Sequence, residues 1–164
     1  MKNVRTLQVT TPTEREIVIE REFNAPRRFV FDALTKPDLI RRWLLGPPGW
    51  SMPVCEVDLR VGGRYLYRWR KEDGTEMGVS GVFREIEPPG KIVHTEKFDE
   101  AWYPGEAVIT STIVERGNAS ALTMTLLYES REARDIALQS GMESGMEAGF
   151  ARLEEILEKA RRSS

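Results

Sequence analysis

The chain has 164 residues, 40% of them hydrophobic and 30% charged, with a net charge of -2. One soluble domain with a sizeable core is the expectation from that length and balance. The near-neutral charge argues against nucleic acid or an anionic membrane as partner, and no run of about 18 apolar residues is present to span a bilayer. The single cysteine, Cys55, excludes an internal disulfide framework and fits a reducing compartment. With no signal-peptide pattern near Met1, the cytoplasm is the expected location.

Residues 1–13 are polar and Thr-rich and read as a flexible tail or an edge strand; 14–162 read as one domain. Ile17, Ile19 and Phe23 alternate with polar neighbours, the period of a strand whose inner face would also carry Arg21. Pro26 suits the opening turn of a helix with Phe29, Val30, Ala33 and Leu34 on its apolar face. Pro37 ends that helix and starts a second short one bearing Leu39, Ile40, Trp43 and Leu44. Gly46-Pro47-Pro48-Gly49 is a loop by composition.

From there the period changes to two. Cys55, Val57 and Leu59 share one face of a strand, with Cys55 a buried residue rather than a reactive thiol. In the next strand Tyr65, Tyr67 and Trp69 oppose Arg64, Arg68 and Arg70. Asp73-Gly74 marks a hairpin. Further strands are expected at about 76–87, 91–98, 106–115 and 120–129, separated by Pro88-Pro89-Gly90, Tyr103-Pro104-Gly105 and Gly117-Asn118. In 106–115 the inward set is read as Ile109, Ser111 and Ile113. Six strands in hairpin succession make an antiparallel meander.

One long helix is then expected from about Arg131 to Ala160. Its apolar face would carry Ile136, Met142, Met146, Gly149, Phe150, Leu153, Ile156 and Leu157. Gly141, Gly145 and Gly149 recur every four residues, although each glycine inside a helix costs roughly 1 kcal/mol relative to alanine. A helix that keeps such a stripe leaves room for a close neighbour, either a sheet or a ligand. The order strand, two short helices, six strands and long helix gives an α+β fold. A curved antiparallel sheet of about six or seven strands wraps on the long C-terminal helix, with a cavity between.

Several motifs carry a resemblance across about residues 15–160. They are Phe23-Asn24-Ala25-Pro26 with Val30-Phe31-Asp32-Ala33-Leu34-Thr35-Lys36-Pro37; Trp43 with Gly46-Pro47-Pro48-Gly49-Trp50; Val57-Asp58-Leu59-Arg60-Val61-Gly62-Gly63; Gly81-Val82-Phe83-Arg84-Glu85-Ile86-Glu87-Pro88-Pro89; and the Gly-Met helix. Together they resemble the bacterial homologues of the heat-shock-protein-90 ATPase activator, in the START-like (SRPBCC, Bet v 1-like) superfamily. The resemblance implies a helix-grip fold with a hydrophobic cavity. The superfamily includes lipid carriers, hormone receptors, polyketide cyclases and proteins that sequester natural products, so the fold does not choose the function.

The expected function is therefore binding of a hydrophobic or aromatic small molecule, of lipid, polyketide or natural-product class. Candidate wall residues are Trp43, Tyr65, Tyr67, Trp69, Phe83, His94, Met142, Gly145, Met146 and Phe150. Aromatic rings and flexible methionines suit varied apolar ligands, and the tyrosine hydroxyls, an indole N–H and His94 could orient one. A cyclase- or hydrolase-type enzyme in the same cavity is the alternative. The only histidine, His94, is its weak catalytic candidate, with no recognisable nucleophile beside it. A chaperone-associated interaction module is a further alternative, and a homodimer is compatible with all three. One Cys and one His build no zinc site, and no cofactor motif is present. Glu96, Asp99 and Glu100 read as a solvated acidic cluster rather than a cation site. Arg64, Arg68 and Arg70 read as a solvent face paired with acidic residues on neighbouring strands.

Overall fold

The structure is a computed structural model that describes residues 7–45, 48–100 and 103–163. Its order is β1 (Gln8–Thr10), β2 (Glu16–Phe23), α1 (Arg27–Thr35), α2 (Pro37–Trp43), β3 (Trp50–Val57), β4 (Arg64–Lys71), β5 (Glu76–Glu87) and β6 (Lys91–Phe98). It continues with β7 (Ala107–Arg116), β8 (Ala119–Leu127), α3 (Arg131–Leu138) and α4 (Met142–Ser163). All strands join one antiparallel sheet in the order β1-β2-β8-β7-β6-β5-β4-β3. The meander from β3 to β8 is the expected one, and β2 closes on β8. The eighth strand is the short edge segment Gln8–Thr10 laid on β2, one strand more than the six or seven expected.

Alternation sets the inner face. Ile17, Ile19, Arg21 and Phe23 of β2 are buried, as are Ala107, Ile109, Ser111 and Ile113 of β7, which settles the inward face of β7 as read from its sequence. Ladder irregularities in β3, between Ser51 and Val54, and in β5, between Phe83 and Glu85, are the bulges that bend a sheet around its contents. In β3 the bulge changes which residues face inward, so Met52 and Cys55 are both buried. The strand ends at Val57, and Leu59 is exposed rather than sharing the face of Cys55. On the outer face of β4 two of the three expected arginines are paired: Arg68 meets Asp99 at 2.7 Å and Glu76 at 3.9 Å, and Arg70 meets Glu76 at 3.1 Å, while Arg64 forms no ion pair among the described residues.

Pro26 occupies the N-cap of α1 instead of its first turn, and Lys36 serves as C-cap of α1 and N-cap of α2. The fully buried side of α1 is Val30, Phe31, Ala33 and Thr35. Phe29 and Leu34, the other two members of the expected apolar face, are half-buried. The loop at 46–49 is only partly visible, since Gly46 and Pro47 lie outside the described residues, as do residues 1–6 of the tail.

The single helix expected over Arg131–Ala160 is two. α3 begins at an N-cap, where Ser130 Oγ accepts from the Ala133 amide at 3.0 Å. It ends before Gly141, whose φ of 85° is left-handed and breaks the helical path. Gly141 is therefore a turn residue, and only Gly145 and Gly149 of the stripe are helical. α3 docks on the β1–β2 connection through Arg134 Nη1, which donates to the Thr13 carbonyl at 2.9 Å.

α4 has two functional halves. From Phe150 onward it is clamped: Phe150, Leu153 and Leu157 are fully buried, each contributing about 1.5–3 kcal/mol. Phe150 meets the Phe23 ring edge-on at 5.5 Å and stacks on Trp43 at 5.7 Å. Beside it, Arg21 Nη1 donates to Glu154 Oε1 at 3.2 Å, and the Asn24 amide donates to Glu154 Oε2 at 3.3 Å. Before Phe150, Met142, Gly145 and Met146 are only half-buried. Glu154→Ala would leave the Arg21 guanidinium, 9% exposed, without its carboxylate partner and with only the Glu22 carbonyl to accept from it. The expected loss is about 1–3 kcal/mol, against less than about 0.5 kcal/mol for the exposed Glu155→Ala. Urea unfolding of the two variants checks this.

A candidate ligand cavity between sheet and helix

Between the inner sheet face, α2 and the first half of α4 lies a cavity of about 610 Å3. Volumes of roughly 300–1,000 Å3 are usual for small-molecule sites. All ten residues singled out from the sequence line it: Trp43, Tyr65, Tyr67, Trp69, Phe83, His94, Met142, Gly145, Met146 and Phe150. They differ in what they offer. Trp43, Tyr65, Trp69, Phe83 and Phe150 are at most 9% exposed and form the packed wall. Tyr67, His94, Met142, Gly145 and Met146 keep surface free toward the space.

Most of the expected orienting donors are already engaged. Trp43 Nε1 donates to the Ala33 carbonyl at 2.8 Å, and Trp69 Nε1 to the Leu44 carbonyl at 2.7 Å. Both indoles therefore present rings, not N–H groups, to the cavity. The Tyr65 hydroxyl donates to the Thr95 carbonyl at 2.6 Å. Tyr65 reaches that far because it pairs with Gly81 and its ring covers that residue. A Cβ on Gly81 would lie 2.6 Å from Tyr65 Cε1 and would overlap the Thr95 carbonyl oxygen. Tyr67, by contrast, makes no hydrogen bond through its hydroxyl to the described residues.

Gly149 borders the cavity and is also held close against α2. A Cβ there would meet the Trp43 carbonyl oxygen at 3.2 Å and the indole at 3.6 Å. The glycine lets α4 close on α2. Gly145, one turn earlier, faces the cavity.

The polar part of the cavity comes from β6. Ile92, His94, Glu96 and Phe98 share its inner face and all line the space. Glu96 is the residue the sequence reading misplaced: it lies in the cavity, while Asp99 pairs with Arg68 outside. The signal was its spacing of two from His94. Desolvation by burial pushes the Glu96 carboxyl up to about 7, partly offset by the hydrogen bond that Tyr103 donates to Oε1 at 3.2 Å. No lysine or arginine pairs with it among the described residues. Burial also raises the phenols of Tyr65, Tyr67, Tyr103 and Tyr128, all further raised by the Glu96 charge.

His94 Nδ1 lies 3.1 Å from the Thr95 carbonyl oxygen. A carbonyl only accepts, so Nδ1 carries the hydrogen and Nε2 keeps its lone pair. Burial holds His94 below the ordinary histidine value, so the neutral ring persists at neutral pH. Among the described residues no three His, Cys, Asp or Glu side chains gather as a metal site.

Because the folded state holds the Glu96 proton more tightly than the unfolded chain, ionising Glu96 destabilises the fold. Stability should fall as pH rises from about 4.5 to about 7 and then level off. Glu96→Gln should lose that slope and be the more stable protein above neutral pH. Denaturant midpoints across the range decide it, and identical slopes in the two proteins would contradict the placement.

Comparison with known proteins agrees with this architecture. Residues 24–158 match the family described as Activator of Hsp90 ATPase homolog 1-like protein. None of the curated proteins matches the sequence. Among solved structures, the chain is similar to a protein from Rhodobacter sphaeroides, with 28% identity, a TM-score of 0.89 and coverage of 94% of this chain and 99% of that one. It also shares its fold with a protein from Nitrosomonas europaea (22% identity, TM-score 0.81, 93% and 99% covered). An AHSA1-like protein from Aeromonas hydrophila has the same fold (21% identity, TM-score 0.71, 86% and 93% covered).

Proposed function

We propose that this chain, which belongs to the family of Activator of Hsp90 ATPase homolog 1-like proteins, is a binding protein for a hydrophobic or aromatic small molecule. The cavity carries the reading. Its volume of about 610 Å3 is bounded by aromatic rings on the sheet side and by Met142, Gly145 and Met146 on the helix side. An apolar ligand would gain roughly 25 cal/mol for each Å2 removed from water. Met124, Met142 and Met146 adapt to different ligand outlines without a fixed rotamer. Tyr67, His94 and Glu96 supply the few convergent polar groups that fix orientation in such sites.

The helix wall is also the part of the fold that can give way. Its first half lacks the buried leucines and the Arg21–Glu154 pair that hold the second half, and Gly141 ends the preceding helix at its base. Entry between Met142 and the sheet would therefore disturb the fewest packed contacts. A cytoplasmic location belongs to the same proposal, supported by Cys55 as a buried free thiol. No helix among the described residues is long and apolar enough to cross a membrane.

A second reading has one observation in its favour. Glu96 and His94 share the cavity, with the carboxyl near 7 and the imidazole neutral, the states that acid–base chemistry at neutral pH uses. A cyclase or hydrolase acting on a bound apolar substrate would draw on that pair.

Trp43, Trp50 and Trp69 all line the cavity, so their emission is the direct assay. Titration with a panel of lipids and aromatic compounds is expected to quench or shift it. Gly145→Leu should abolish the response while the circular dichroism spectrum and unfolding midpoint stay close to those of the parent. An unresponsive parent protein across the whole panel would end the carrier reading; loss of the fold in Gly145→Leu would assign that glycine to packing.

A further inference from the structure

We propose that the cavity selects apolar molecules carrying one protonated amine, which Glu96 and His94 receive against aromatic walls. This rests on the carrier reading above and names the ligand class for that same site.

One oxygen of Glu96 accepts from Tyr103 at 3.2 Å, and the other has no partner among the described residues. His94 Nδ1 is taken by the Thr95 carbonyl, so its ring turns an acceptor nitrogen, not a donor, to the space. Both polar groups that β6 offers therefore accept hydrogen bonds. A ligand carboxylate or phosphate would meet lone pairs and a negative charge there, with no lysine or arginine among the cavity residues to receive it. An ammonium brings up to three donors and the positive charge that the buried carboxylate lacks.

The walls suit the same cation. Tyr65 lies with its ring 4.9 Å from that of Tyr67 and 5.1 Å from that of His94, so the acceptors sit within an aromatic lining. The faces of such rings attract a desolvated cation. The rest of the ligand would then lie along Trp69, Phe83 and the helix methionines, where only apolar surface is available.

The other titratable groups around the carboxyl do not compete for this role. Tyr65 and Tyr67 of β4, Tyr103 before β7 and Tyr128 after β8 are all held above the ordinary phenol range. They stay neutral wherever Glu96 titrates. His94, on its own strand, is held below its ordinary value. Glu106 acts on Tyr65 and Tyr103 from just before β7 and is paired with Arg84 at 3.7 Å. α2 and α4 bring Trp43, Leu44, Met142, Gly145 and Met146 to the space, none of them charged.

The test is calorimetric titration with four matched probes: 2-methylnaphthalene, 2-naphthylmethanol, 2-naphthylmethylamine and 2-naphthoate. At about pH 8 the amine should bind roughly tenfold or more tightly than the methyl compound, the scale of one charge-assisted hydrogen bond in a desolvated site. The naphthoate should bind weakest. At about pH 6, where Glu96 is largely protonated, the amine's advantage should shrink, and amine binding there should release protons to the buffer. Glu96→Gln should lose the amine preference, its amine-to-methyl affinity ratio falling toward one. An amine that binds no better than 2-methylnaphthalene, or a preference that survives in Glu96→Gln, overturns the inference and leaves the carrier reading intact. If none of the four binds, this inference falls, while the carrier reading is decided by the lipid and aromatic panel.

Discussion

The close packing of Gly149 on Trp43 fixes where α4 lies on the sheet. With only hydrogen at Gly149, α4 comes down onto the Trp43 carbonyl and the face of its indole. That approach places Phe150 where it stacks on Trp43 and meets Phe23 of β2. The indole is itself fixed, because Nε1 donates to the Ala33 carbonyl and ties α2 back to α1. Four elements thus meet at one aromatic junction. It clamps the second half of α4 to one side of the sheet, while the first half reaches over the remaining concavity without filling it. The cavity is what the junction leaves open.

Inside that cavity the balance between apolar and polar surface is uneven in an informative way. Most donors that the aromatic residues bring are satisfied by backbone carbonyls: Ala33 for Trp43, Leu44 for Trp69, Thr95 for Tyr65. A buried donor without a partner costs about 1–3 kcal/mol, so these bonds let large amphipathic rings serve as dry walls. What remains is an acceptor-rich patch on β6. A carboxyl there is expensive to ionise, and its raised proton affinity is the measure of that cost. Proteins keep such groups where a ligand or a reaction makes use of them. The family and the fold do not determine which, since the same frame hosts different chemistries.

Much of this was legible from the chain. The meander, the two short helices, the inward faces of β2 and β7 and the aromatic face of β4 follow from alternation and turn chemistry. These are local properties with period two or 3.6. The ten candidate wall residues line the cavity for the same reason: each lies on an inward face of a well-patterned element. The errors lie where local pattern underdetermines the outcome. Ser140-Gly141 sits in a stretch whose apolar spacing continues smoothly, and only the φ of 85° at Gly141 reveals two helices. Leu59 continues the alternation of Cys55, but the strand stops at Val57. Glu96 is separated from Asp99 and Glu100 by so little sequence that composition groups them. Strand register sends Glu96 inward and leaves Asp99 to Arg68.

Periodicity and turn residues act over a few positions, so the elements, their order, the faces they bury and the kind of fold can be read along the chain. Which polar atoms remain available is settled only when distant elements pack together. Whether an indole N–H or a phenol is free depends on a carbonyl from another element, as Thr95 does for Tyr65 and Leu44 for Trp69. Packing likewise sets Gly149 against a helix and, among the described residues, leaves one cavity carboxylate, Glu96, without a cation. Those outcomes are set by distances between residues far apart in the chain, which no local pattern encodes.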